Sequence, residues 1–263
     1  MLPDFIIIGA TRSGTTSLYE NLSQHPCIVP AFNKEPSFFN LNFARGLKWY
    51  RSQFPLELHK FYFEKILQHE FMTGEASANY FYYPSVPERI STTLSKVKLI
   101  LLLRDPVHRA YSDYQLSVRS HKEVRSFQEA VRSELSDSVK LTAENERSIL
   151  RLRYLLKGIY VDHLERWLKF FSREKLLILK SEDLFSEQPR TFSIVLDHLG
   201  LPSWQPKQFS AFREPGKKID NDAIIQKQYE RMDAKTDKLL KDFFRPYNQR
   251  LYDLLGQDLL WND

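Results

Sequence analysis

A single cysteine, Cys27, is all the thiol chemistry that the 263-residue sequence contains. One thiol excludes an intrachain disulfide and a four-cysteine zinc site. Such a chain suits a reducing compartment, so a cytoplasmic location is expected. Glycine is scarce, eight residues in all, and no repeat or low-complexity tract is present. No apolar run approaches the roughly 20 residues that a spanning helix needs. Strand-like residues begin at position 5, which leaves no signal-peptide pattern. Charge of one sign is not in large excess either: 38 Lys and Arg face 33 Asp and Glu, a net +5. That suits an anionic cofactor or substrate and does not by itself indicate nucleic acid.

What the chain does have is enough length for one sizeable core and an aromatic content of 14%, so packing is expected to rest on Phe and Tyr. Three apolar runs read as strands: residues 5–8, 98–106 and 175–184. Their near-continuous apolarity predicts burial on both faces, as in a parallel sheet. Between and around them, helical patterns cover about 15–23, 86–95, 106–120, 126–136, 143–157, 160–171 and 224–255, the last with Pro246 as a candidate interruption. The alternation predicts one α/β domain over 1–263, with a central parallel sheet flanked by helices. Residues 30–62 and 202–222, each with three prolines, read as long loops on this scaffold, where function concentrates.

The stretch IIIGATRSGTTSL, residues 6–18, reads as strand, glycine loop and helix start. Such a loop turns backbone N–H groups toward an anion, and the positive end of the helix adds to them. Arg12, Ser13, Gly14, Thr15, Thr16 and Ser17 are the candidate phosphate-binding residues. A nucleoside-triphosphate loop would carry Lys where Thr15 stands. The cation here is Arg12, three residues earlier. A second constellation, LLLRDPVHRAYSDY at 101–114, puts Arg104 at the carboxyl end of a buried strand, where α/β proteins bind ligands. If Asp105 or Pro106 starts a helix, Ser112 falls two turns along it, and Arg104 and Ser112 can grip a further phosphate. Arg104 paired with Asp105 is the structural alternative. Two phosphate motifs about ninety residues apart suit a nucleotide with phosphates at two separate positions.

With these residues in view, the chain resembles the sulfotransferases that use 3′-phosphoadenosine 5′-phosphosulfate (PAPS), most of all the heparan sulfate 3-O- and N-sulfotransferase branch. IIIGATRSGTTSLYENLSQHP is similar to that family's 5′-phosphosulfate loop, KEPSFFN to its acceptor-side segment, GEASANYFYYPSVPERI to its substrate-cleft segment, and KLILLLRDPVHRAYSDY to its 3′-phosphate motif. The resemblance spans roughly residues 4–219 and implies the sulfotransferase fold, PAPS as co-substrate with PAP as product, and no metal. It implies that residues 12–16 hold the 5′-phosphosulfate and that Arg104 and Ser112 hold the 3′-phosphate. Glu35 takes the position of the general base, and Lys34 beside it that of an anion-binding side chain. The acceptor implied is a hydroxyl or amine, on a carbohydrate or on a lipid- or polyketide-type hydroxyacyl chain. A small-molecule or nucleotide kinase is the rival enzyme, and a nucleotide-binding sensor the rival without turnover.

The sequence departs from that branch at four places. Arg12 stands where the branch generally has Lys. Ala76 stands where a Lys is common, and Ser37 where a His is common; Ser37, Ala76 and Tyr80 are accordingly read as acceptor-side positions. The cofactor-covering segment FREPGKKIDND, residues 212–222, has no cysteine, and Lys217 and Lys218 are its candidate basic contacts. The run YFYY, residues 80–83, is either core or the lining of the acceptor cleft. His25, His108, His121 and His163 share no metal-ligand spacing, and no metal, nucleic-acid or membrane partner is expected.

Overall fold

The computed structural model describes residues 1–137, 140–209 and 232–262, and the backbone of two short strands at 212–214 and 217–218. The elements in chain order are β1 (Phe5–Gly9), α1 (Thr15–Leu22), α2 (Gly46–Arg51), α3 (Glu57–Phe61), β2 (Gly74–Glu75), α4 (Val86–Thr93), β3 (Lys98–Leu103), α5 (Pro106–Arg119), α6 (Phe127–Leu135), α7 (Glu146–Ile149), α8 (Tyr160–Leu168), β4 (Leu176–Lys180), α9 (Ser181–Ser186), α10 (Gln188–Leu199), β5 (Phe212–Glu214), β6 (Lys217–Lys218) and α11 (Ala234–Leu255). They form two compact units, Met1–Leu103 with Trp167–Ile219, and Arg104–Arg166 with Asp220–Asp263.

The first unit is built on a four-stranded sheet of order β2-β1-β3-β4. Every pairing is parallel, with Phe5 opposite Gly74 and Lys98, and Leu99 opposite Leu176. All five residues of β1 are buried, as the uninterrupted apolar run predicts for a central strand. Side chains alternate across the sheet. Phe5, Ile7, Ile100 and Leu102 meet Leu18, Tyr19 and Leu22 of α1 and Phe192, Val195, Leu196 and Leu199 of α10 in one continuous core. Each such side chain, fully buried, contributes about 1.5–3 kcal/mol. On the opposite face Phe81 packs so closely on the sheet that a Cβ at Gly9 would lie 2.7 Å from the Phe81 Cβ. Trp167 Nε1 donates to the Phe81 carbonyl at 3.1 Å.

Strands end earlier than the apolar runs predict. The run 98–106 stops at Leu103, because Pro106 opens α5 and Asp105 caps it by accepting from the His108 N–H. The run 175–184 stops at Lys180, where α9 begins. Residues 30–62, predicted as loop, contain α2 and α3, and α3 continues into a π-type turn at Tyr62–Ile66.

In the second unit α5, α6 and α11 bury Val107, Ala110, Phe127, Ala130, Val131, Leu240 and Phe244 around Tyr154 and Leu155. The helix predicted over 143–157 is confined to Glu146–Ile149. Leu152 turns the chain with φ at 53°. The Glu134 carboxylate then accepts the N–H groups of Tyr154, Leu155 and Leu156 at 2.7, 3.0 and 2.7 Å. A half-buried carboxylate thus takes the donors that a helix would use, a tertiary contact that local pattern does not encode. The described part of the 224–255 helix runs unbroken from Ala234 through Pro246 to Leu255. No helix among the described residues is long and apolar enough to cross a membrane.

Candidate active site

The loop after β1 supplies the first element of the site. Arg12 (φ 67°) and Gly14 (φ 88°) both have left-handed backbone, with Ser13 between them. Alternation of this kind curls successive N–H groups into an anion-binding concavity. Gly14 is required twice over: its φ favours glycine, and an added Cβ would sit 3.0 Å from both Leu184 Cδ2 and Phe185 Cζ. Among the described residues the N–H groups of Gly14, Thr15 and Thr16 have no carbonyl partner at the head of α1. The Ser13 hydroxyl is fully buried and has no hydrogen-bond partner among the described residues. A buried hydroxyl left unpaired beside open N–H groups costs stability unless an acceptor arrives. The loop therefore fits an anion carrying several acceptor oxygens. Its far side is pinned by the Tyr82 hydroxyl, 3.0 Å from both the N–H and the hydroxyl of Thr11.

The acceptor-side segment is joined to this loop directly. Lys34 Nζ lies 2.7 Å from Thr16 Oγ1 and 2.8 Å from Glu35 Oε1. The ammonium is largely enclosed, with its side chain 15% exposed, whereas that of Glu35 is 40% exposed. The cation missing from the loop sequence is thus delivered from eighteen residues away. Lys34 also accepts the Ala76 N–H on its carbonyl at 2.9 Å. Ser37, with φ at 49°, donates its N–H to Ser77 Oγ at 3.1 Å, and Phe39 donates to Tyr80 Oη at 3.2 Å.

Those two hydroxyls converge on Glu75, the last residue of β2. Its carboxylate accepts from Ser77 Oγ at 2.5 Å, Tyr50 Oη at 2.6 Å and Tyr80 Oη at 3.2 Å, with no solvent contact. Burial pushes the Glu75 carboxyl up to about 7, against the three hydroxyl donors, and the nearby Glu35 charge adds to the rise. Burial, followed by the Glu75 charge, holds the Tyr50 and Tyr80 phenols well above their ordinary value.

Tyr80 is fully buried and ties the acceptor segment rather than lining open space, and the Ala76 side chain lies in the core beneath the sheet's edge. Glu75 and Tyr50 are absent from the sequence-derived candidates, and Tyr82, weighed only as part of the run 80–83, is buried and bonds the loop at Thr11. The one signal for Glu75 was an acidic residue inside an apolar, strand-like context, which a two-residue strand does not announce.

In the second unit, Arg104 follows β3 directly and is half-buried, and its carbonyl accepts from Tyr160 Oη at 2.8 Å. Asp105 is engaged as the cap of α5. Ser112 lies two turns into that helix, as predicted, and its side chain is buried. Lys217 and Lys218 form β6, antiparallel to β5, and β5 lies beside α1; the two lysine side chains lie outside the described residues.

The family model for the sulfotransferase domain matches residues 2–245. This chain belongs to the sulfotransferase family. The domain is 30% identical to heparan sulfate glucosamine 3-O-sulfotransferase 3A1 of Mus musculus, over 99% of this chain and 65% of that protein. It is 32% identical to the bifunctional heparan sulfate N-deacetylase/N-sulfotransferase 3 of Homo sapiens, over 98% of this chain and 31% of that protein. The sulfotransferase domain thus spans just under two thirds of the first relative and under one third of the second. Its fold matches the crystal structure of a sulfotransferase from Alicyclobacillus acidocaldarius, with a TM-score of 0.73, 26% identity and full coverage of both chains. The family assignment leaves the kinase alternative without support.

Proposed function

We propose that this sulfotransferase domain moves the sulfuryl group of PAPS to an acceptor hydroxyl on a carbohydrate, with Glu35 as general base. The observation that carries the reading is the Thr16–Lys34–Glu35 chain, which links an anion-binding loop to an accessible carboxylate through one ammonium. The donor supplies an activated S–O bond. Ser13, Gly14, Thr15, Thr16 and Ser17 hold its 5′-phosphosulfate with N–H groups and hydroxyls, and Arg12 adds positive charge. Arg104 and Ser112 take the 3′-phosphate, and Lys217 and Lys218 are the basic contacts of the covering segment. As the acceptor oxygen bonds to sulfur, its proton passes to Glu35. The bond to the bridging oxygen breaks, and the electron pair stays on the 5′-phosphate, where the loop donors and cations stabilise it. Arg12 serves as a charge stabiliser, because a guanidinium hardly deprotonates.

The carbohydrate acceptor is carried by the relatives, whose names specify heparan sulfate glucosamine. Ser37 and the Lys34 ammonium are the acceptor-side contacts. The chain is proposed to act as one domain over residues 1–263, in the cytoplasm, in keeping with its single cysteine. Titration calorimetry with PAP and with ATP plus magnesium, followed by an acceptor screen with labelled PAPS, tests the reading. Preferential binding of PAP and label transfer to a glycan hydroxyl are expected. Preference for ATP, or the absence of transfer to any hydroxyl, would overturn it.

A further inference from the structure

The side-chain hydrogen bonds of Glu75 go to Tyr50, Ser77 and Tyr80 and not to Lys34 or Glu35. Its carboxylate nevertheless organises the segment that carries them. Ser77 Oγ donates to Glu75 and accepts from the Ser37 N–H, and Tyr80 Oη donates to Glu75 and accepts from the Phe39 N–H. A hydroxyl whose proton is claimed by a carboxylate has its lone pairs fixed in direction, so each relay aims an acceptor at one backbone N–H. Tyr50, the third donor, stacks on Phe38 at 4.5 Å between ring centroids, which fixes the side of the same segment. Residues 37–39 are thereby held at three points by groups that all answer to one buried carboxylate, immediately after Glu35.

We propose that Glu75 is a positioning residue that sets the placement of the Glu35 segment through Ser77 and Tyr80. The base assignment it serves rests on the reading under Proposed function, whereas the tethering of residues 37–39 does not. Burying a carboxylate without a cation is unfavourable, so the site keeps this arrangement against its own stability. Protonation of Glu75 gives the carboxyl a donor of its own, and one of the three hydroxyls must then turn away. The titratable groups around it are Glu35, Tyr19, Tyr50 and Tyr80. With the carboxyl titrating at about 7, tethering strengthens as pH rises through neutrality.

The test is amide hydrogen exchange on the full chain, with transfer kinetics beside it. In Glu75→Gln, exchange at Ser37 and Phe39 is expected to accelerate at least tenfold after correction for intrinsic rates. PAP binding should stay within twofold, and kcat should fall at least tenfold. The wild-type kcat should step up near pH 7, and the variant should lack that step. Ser77→Ala should reproduce part of the loss, and the Glu75→Gln/Ser77→Ala double variant should cost no more than the larger single change, because both act on one relay. Unchanged exchange, additive losses or an equal loss of PAP binding would each overturn the proposal. If Glu75→Gln fails to fold, Ser77→Ala and Tyr80→Phe decide: kcat unchanged in both overturns it. A wild-type protein that transfers no sulfuryl group at all defeats the assigned reaction, while the exchange measurement still decides the tethering.

Discussion

Replacing Lys34 by methionine keeps the reach of the side chain and deletes its ammonium. At 2.8 Å and an effective dielectric of about 20, the pair with Glu35 has a Coulomb energy of roughly 6 kcal/mol. Most of this is offset by lost hydration and by screening at a carboxylate that is 40% exposed, so the net contribution to folding is about 1 kcal/mol. The bond to Thr16 Oγ1 adds a charge-assisted contact of similar size. Lys34→Met should therefore cost about 1–2 kcal/mol of stability. Its effect on transfer should be larger, because removing one preorganised donor from a developing charge lowers kcat by about 10²–10³. Thermal unfolding measures the first quantity, and single-turnover transfer of labelled sulfate measures the second. Lys34→Arg keeps the charge and should recover part of the rate. A Lys34→Met protein with kcat within threefold of wild type would refute the bridging role, as would a rate loss no larger than its stability loss.

Glu35→Gln should leave PAP affinity within twofold and lower transfer by about 10²–10⁴, the range of a positioned proton acceptor; isothermal titration and label transfer check both parts. Arg104→Ala should weaken PAP by roughly 1.5–3 kcal/mol, the range of a hydrogen bond to a charged group, and should leave adenosine 5′-phosphosulfate, which has no 3′-phosphate, nearly unaffected. Equal losses for the two nucleotides would discredit the 3′-phosphate role. Glu75 also makes stability depend on pH. Its folded value of about 7 lies above the ordinary 4.5, so the native state binds the extra proton between those values. Stability should then fall by about 3 kcal/mol as pH rises from 4.5 to 7, and Glu75→Gln should flatten that slope in urea titrations.

The parts of the fold that were legible share one property: their signals are local. The buried strand before Gly9, the glycine at position 14, and the Asp-Pro pair that starts α5 each announce themselves within a few residues. What stayed hidden depends on partners far away in the chain. A strand of two residues, β2, exists because β1 offers it an edge. The helix expected over 143–157 gives way because Glu134 captures three backbone donors. The site divides in the same way. The phosphate loop and Glu35 stand out in the sequence, whereas the reach of Lys34 to Thr16 and the convergence of Tyr50, Ser77 and Tyr80 on Glu75 appear only in three dimensions.

The placement of β1 bears on how the protein is made. Of the four strands of the sheet, the one synthesised first lies inside it, and its partners begin at Gly74 on one side and Lys98 on the other. At about 5–20 residues per second, the four apolar side chains of Phe5, Ile6, Ile7 and Ile8 wait roughly 5–20 s before β3 can cover them. β3 in turn needs Leu176 and the rest of β4. A truncation before β4 removes the partner of β3 and should therefore yield aggregated protein rather than a smaller working domain.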